Sequence, residues 1–453
     1  MSREIKIALL MAASLFMEIL DGTIVTTALP KMARDFATST TTISLLVSIY
    51  LMTTAVFIPL SGWMANRFGQ KRIWLLAVLI FTLSSLGNAL APTLPILLMM
   101  RLTQGISAAL MTPTARLIVL EKTPTHRLLK MTSYLVWPAL IAPTIAPVVG
   151  GAIVTHWTWQ GIFLINLPIG LVIMLIGLIL IPKNENLRQA PFDLVGFIGI
   201  AITSVAVLFG LDLATHGTLI TEMTGVGIAI LGAVGLIPIY YHLQKVEHPL
   251  FSVSALKLKS FRMTQTGGSF LWLSVGAMPF LLTIFLQNIF HWSALKAGSY
   301  IIFIFLGNLG IKPFTTVIIR KLSYKGALLA SFMMILLSAL GMVYVTPSMA
   351  PLIMILAMIS GVGRSLALTS YTGLNFSEVP VASRNSANTL GAVIQTLAQG
   401  VGISLISVII HLLNLSLTMN WSYRLGFVFL ALFMIYPIFE TLGMSKKMGM
   451  NTL

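Results

Sequence analysis

The stretch FMEILDGTIVTTALP, residues 16–30, sets two carboxylates, Glu18 and Asp21, three residues apart in an otherwise apolar run. That spacing puts both on one face of a helix. Three bases, Arg101, Lys312 and Arg364, interrupt apolar runs elsewhere. A charge at mid-bilayer costs at least ~2.5–3.5 kcal/mol, so such residues face a protein interior or a watery cavity and mark candidate sites. Two kinds of chemistry are open to the acids. One can exchange protons, if desolvation and a nearby cation, which act in opposite senses on a carboxylate, balance near physiological pH. Alternatively, both neutralise buried bases and hold one packing. At ~1.5 Å per residue, Asp21 and Arg101 lie at similar depths, so they are expected to pair. Glu18 and Arg364, each near the middle of its run, form a second candidate pair across the two halves of the chain. Lys312 is left without an obvious acidic partner: it either snorkels to the interface or attracts an anion.

The elements that position these residues are membrane helices. The 453-residue chain is 57% hydrophobic and only 9% charged, against about 25% charged in soluble domains. A span needs roughly 20 apolar residues. Fourteen such runs are expected, at about 6–29, 43–65, 73–91, 95–119, 132–154, 161–181, 192–212, 221–243, 263–288, 297–319, 326–345, 350–375, 386–412 and 423–442. The fold class is all-α. The first run is longer than a signal peptide's apolar core and contains acids, so it reads as a helix that stays. Basic residues concentrate in alternate loops, such as Arg67, Lys71 and Arg72, and Arg320, Lys321 and Lys325. The positive-inside rule then puts both termini in the cytoplasm. It also accounts for the net charge of +16 without a nucleic-acid partner. The basic turns at 66–72 and 320–326 repeat in two halves. The expected organisation is a six-helix lobe over 1–183, two extra helices and a linker over 184–262, and a second six-helix lobe over 263–453. Two parallel repeats of this kind hold their site between the lobes, near the midplane.

Five stretches carry a resemblance. GWMANRFGQKR (62–72) resembles the loop signature of the major facilitator superfamily, RLTQGISAA (101–109) its fourth-helix motif, and APTIAPVVGG (142–151) its fifth-helix antiporter motif. LDGTIVTTALP (20–30) resembles the first-helix motif of the drug:proton antiporters, and WTWQGIFLINLPIG (157–170) the junction of helices five and six in the fourteen-span branch. The resemblance covers essentially the whole chain. It implies that Asp21, with Glu18 beside it, couples protons. As intramembrane charges, Arg101, Lys312 and Arg364 are expected to line a substrate cavity together with the motif residue Gln104, and the resemblance implies that Gly62, Asn66, Arg67, Gly69 and Lys71 form a gating loop. Pro143, Pro147, Gly150 and Gly151 would bend and pack a helix that seals or hinges the pathway. As residues alone they also fit a kinked packing helix. Two departures stand out. Asn66 replaces the family's Asp, so it can accept a hydrogen bond at a neighbouring helix terminus but brings no charge. Ala146 replaces a Gly before Pro147.

Other classes are excluded or disfavoured. No Gly-Lys dipeptide occurs, so there is no P-loop. Cysteine is absent and the seven His are scattered, so no metal site and no cofactor are expected. A membrane enzyme or a non-transporting sensor has no extramembrane domain to act through. The resemblance therefore implies a monomeric, multi-pass transporter of the cytoplasmic (inner) membrane. It would export amphipathic small molecules in exchange for protons, with the bilayer, protons and a small-molecule substrate as partners. The excess of buried bases over acids supports an alternative, an organic-anion, metabolite or siderophore-like chelate carrier.

Overall fold

Helix after helix of span length follows from apolar runs that are bounded by basic turns. A computed structural model describes residues 3–38, 40–121, 123, 127–182, 191–215, 219–292 and 294–452, with only the backbone at 30, 219, 294 and 295 and in parts of 40–48 and 128–148. The expected boundary at residues 183 and 184 and the side chain of Pro147 fall outside the described atoms. No strand occurs among the described residues. The first half comprises α1 (Arg3–Asp35), α2 (Thr40–Phe68), α3 (Gln70–Leu90), α4 (Leu94–Glu121), α5 (Leu128–His156), α6 (Gly161–Leu164) and α7 (Asn166–Leu180). The pair α8 (Leu194–Leu213) and α9 (Leu219–Lys245) packs as a hairpin, and α8 leans on α2. The second half comprises α10 (Lys259–Asn288), α11 (Ala294–Ile311), α12 (Thr315–Met342), α13 (Ala350–Asn375), α14 (Arg384–Asn414), α15 (Met419–Leu432) and α16 (Ile435–Leu442).

Among the described residues, 12 stretches are long and apolar enough to cross a membrane. One of them, Lys296–Met342, runs for 47 residues. As a straight helix it would be ~70 Å long, more than twice the ~30 Å hydrocarbon core. It is interrupted by a 3₁₀ turn at Lys312–Phe314, where Pro313 has no N–H to give, and again at Ser323, whose φ is 61°. The 29-residue α5 is not among the twelve, although it matches its neighbours in length.

Packing divides along the chain. Two apolar clusters draw only on residues between Ile5 and Ile181. Two others draw only on residues between Met263 and Met448. A fifth is shared: Ile58 and Leu120 meet Phe251, Phe376 and Leu390 there. The linker is held by Asp193. Its carboxylate caps α8 through Gly196 N at 2.8 Å, takes Leu250 N at 3.2 Å and meets His242 Nε2 of α9 at 2.8 Å.

Candidate functional site

Asp21 and Arg101 pair as expected, with Arg101 Nη1 2.6 Å from Asp21 Oδ2 and both side chains fully buried. Four helices build this node. Asn166 of α7 donates to Asp21 Oδ1 at 2.7 Å, and Arg101 Nη1 also donates to Gln104 Oε1 at 2.6 Å. Gln104 Nε2 reaches Ser85 Oγ of α3 at 2.7 Å, and Asn88 donates to Gln104 Oε1 at 2.8 Å. The guanidinium lies over the Tyr50 and Phe163 rings, 4.8 and 5.5 Å from their centroids, a favourable arrangement for a cation. A buried charge needs a partner and further hydrogen bonds to offset its desolvation, and this node supplies both. It is sealed inside the first half. Asp21, Arg101 and Gln104 therefore do not lie on the wall between the halves, where they were expected.

Glu18, one turn away, is only partly buried and accepts a hydrogen bond from Thr112 Oγ1 of α4. Arg116 lies one turn beyond Thr112 on the same helix. The expected Glu18–Arg364 pair is not formed. Arg364 instead donates to Ser274 O at 2.6 Å and reaches Val275 O at 3.5 Å. The cause is local. Pro279 in α10 has no N–H and disturbs the helix ladder, which leaves the carbonyl four residues back, Val275 O, without its helical donor. A buried guanidinium satisfies that stretch of backbone from the neighbouring helix.

Lys312 is 6% exposed, sits at the Pro313 break and donates to Thr369 Oγ1 at 2.7 Å. Among the described residues no carboxylate lies within salt-bridge distance of it. Its ammonium lines a cavity of about 110 Å³ enclosed by α4, α5, α10, α13 and α14 together with Lys312. Arg116 enters the same cavity from α4 and donates to Gln395 Oε1 of α14 at 3.4 Å. Among the described residues the wall carries these two cations, a set of amides that includes Gln265 and Asn375, apolar surface from Trp272, Leu368 and Phe376, and no carboxylate. Sequence reasoning missed Arg116. It lies inside the apolar window 95–119, so the rule that singled out Arg101 applied to it as well.

The loop motif joins α2 to α3 and reaches α14 and α7. Gly69 adopts φ 91°, a left-handed conformation that suits glycine, at the start of α3. Lys71 Nζ caps two orphan carbonyls at the end of α7, Leu178 O and Ile181 O, both at 2.6 Å. Arg67 lies 5.5 Å from the Trp63 ring centroid. Asn66 accepts from the side chain of Asn385, in the first turn of α14, and Asn385 also donates to Gly62 O at 3.0 Å. A Cβ on Gly62 would come within 2.2 Å of Thr389 Oγ1, so only glycine lets α2 and α14 approach this closely. Two further bonds extend the seam: Arg384 Nη1 to Leu120 O at 3.1 Å, and Asn388 Nδ2 to Pro113 O at 3.0 Å. The antiporter-motif residues divide. Gly150 packs α5 onto α1, where a Cβ would lie 2.4 Å from Thr27 Oγ1, whereas Gly151 faces open space. Pro143 is partly buried in α5.

The chain was compared with known proteins. The family model described as Major Facilitator Superfamily matches residues 11–403. The putative multidrug resistance protein MdtD of Escherichia coli O6:H1 is 30% identical over 411 residues, covering 89% of this chain and 85% of that protein. Its counterpart in Shigella boydii serotype 18 gives the same figures. Among solved structures, the human organic anion transporter MFSD10 superposes with a TM-score of 0.72 at 13% identity, over 97% of this chain and 100% of that one. A bacterial homologue of the iron transporter ferroportin, in an outward-facing state, gives a TM-score of 0.65 at 14% identity, over 98% and 99%. At these identities the structural likeness is one of fold.

Proposed function

Because this chain belongs to the major facilitator superfamily, we propose that it is a proton-coupled secondary transporter that exports amphipathic small molecules by alternating access. The observation that carries this reading is the cavity enclosed between helices of both halves, with polar and apolar walls together. The multidrug-resistance naming of the relatives supports it. In this reading the chain is a monomer of the cytoplasmic membrane with fourteen crossings: α5 is one of them, Lys296–Met342 folds back as two, and two extra helices separate six-helix lobes. Both termini and the basic loops face the cytoplasm. Asn66, Asn385, Arg384 and Asn388 then form the cytoplasmic seam. Each neutral hydrogen bond contributes only ~0.5–1.5 kcal/mol net. The whole seam thus amounts to a few kcal/mol, the size of a gap between two interconverting states.

Coupling is assigned to Asp21, with Glu18 as the second candidate. Protonating Asp21 would cancel its attraction to Arg101 and loosen a node that ties α1, α3, α4 and α7 together. The test is flux in proteoliposomes with an imposed pH gradient, across cationic, neutral and anionic amphiphiles. Asp21→Asn should abolish gradient-driven flux, and undiminished flux would remove Asp21 from the role. Carriage of an organic anion, a metabolite or siderophore-like chelate, is the second reading. The two cations in the cavity wall favour it.

A further inference from the structure

We propose that the cavity between the halves takes an amphipathic organic carboxylate of single charge, clamped by Arg116 from the first half and Lys312 from the second, with Glu18 as the site's own counter-charge. The proposal rests on the transport reading and narrows its substrate.

Of the intramembrane bases, two are engaged elsewhere, although Nε of each guanidinium finds no hydrogen-bond partner among the described residues. Arg101 is paired with Asp21, and Arg364 is spent on the carbonyls near Pro279. Among the described residues, Arg116 and Lys312 are the bases that line the cavity. Lys312 is more than nine-tenths buried and has a single neutral partner, Thr369. A buried ammonium without a counter-ion is costly, and an incoming anion would offset that cost. Arg116 follows by one turn of α4 the Thr112 that donates to Glu18, while its Nη1 turns to Gln395 in the opposite half. With Glu18 ionised, the three groups leave one net positive charge, which a monoanion neutralises. A monovalent cation would meet no carboxylate among the described residues of the wall. The ligand's apolar body has Trp272, Leu368 and Phe376 to lie against. The Tyr371 hydroxyl, buried and without a hydrogen-bond partner among the described residues, is a further donor on the same wall. Because the two cations come from different halves, one carboxylate held by both would draw the halves together around it.

Three matched probes test this on the purified full-length protein: naphthylacetate, its neutral amide, and naphthylethylammonium. Naphthylacetate should bind most tightly. Arg116→Gln and Lys312→Gln should each weaken it roughly ten- to a hundredfold, the loss of one charged hydrogen bond, and leave the amide unchanged. Arg116→Lys and Lys312→Arg should retain most of the preference, which separates loss of charge from misfolding. Glu18→Gln removes the competing carboxylate, so it should tighten naphthylacetate, an effect that a merely structural Glu18 would not produce. The proposal is overturned if the ammonium probe binds tightest, if none of the three binds, or if Glu18→Gln leaves naphthylacetate affinity unchanged or weaker. The parent reading fails separately, when proteoliposomes carry no small molecule of any charge. Flux of neutral or cationic compounds alone would sink only the charge assignment.

Discussion

Two carboxylates one helical turn apart have unlike environments. Asp21 is fully buried against Asn166 and Arg101, whereas Glu18 keeps partial exposure and a hydroxyl partner on α4. Removing one member of a buried pair strands the other, at roughly 3–5 kcal/mol. We therefore predict that Asp21→Asn and Arg101→Gln each lower thermal stability, and that the double variant is milder than the two losses added. A strictly additive double variant in a melting assay would mean the pair is not coupled. Glu18 and Arg364 give the opposite expectation. They have separate partners, so the losses from Glu18→Gln and Arg364→Gln should add to within about 0.3–0.5 kcal/mol. A large interaction term in that cycle would show that the two meet in another conformation.

At the scale of elements, the first turns of α14 hydrogen-bond to helices of the other half. Arg384, Asn385 and Asn388 reach backbone carbonyls of α2 and α4, and Asn66 completes the seam from the other side. A carboxylate at position 66 would accept the same amide with charge, and charge-assisted bonds are roughly twice as strong. Asn66→Asp should accordingly bias the protein toward a closed seam, and the Asn385→Ala, Asn388→Ala pair toward an open one. Spin labels on Arg72→Cys and Lys321→Cys would read this as a shift to shorter and to longer distances respectively. Unchanged distance distributions in both variants would rule out the seam as a lock.

For the whole molecule the prediction is one of sidedness. The chain has no cysteine, so single introduced cysteines report cleanly. Arg72 and Lys321 are exposed in the basic turns of the two halves, whereas Trp157 and Tyr344, 74% and 78% exposed, sit at the opposite ends of their helices. An impermeant thiol reagent applied to intact cells should label cysteines at 157 and 344 but not those at 72 and 321. The reverse pattern would invert the topology. Tyr324, in the same turn as Lys321, is unsuitable as a reporter because it is fully buried with its hydroxyl on Thr452.

The sequence by itself determined the class of the protein. Long apolar runs can only cross a bilayer as helices, since every backbone polar group must be satisfied within the segment. The Asp21–Arg101 pair was legible for a related reason: both residues lie at one depth, and a buried charge seeks the nearest opposite one. The same reasoning failed for Glu18 and Arg364, because depth along a helix says nothing about rotation around it or about competing partners. A backbone carbonyl is invisible as a charge, yet Ser274 O, beside the one that Pro279 frees, holds Arg364 at 2.6 Å. Which bases reach the cavity was likewise decided only by tertiary structure. Arg116 and Arg101 share one helix, and packing turned one toward the opposite half and sealed the other among Asp21, Gln104 and two rings.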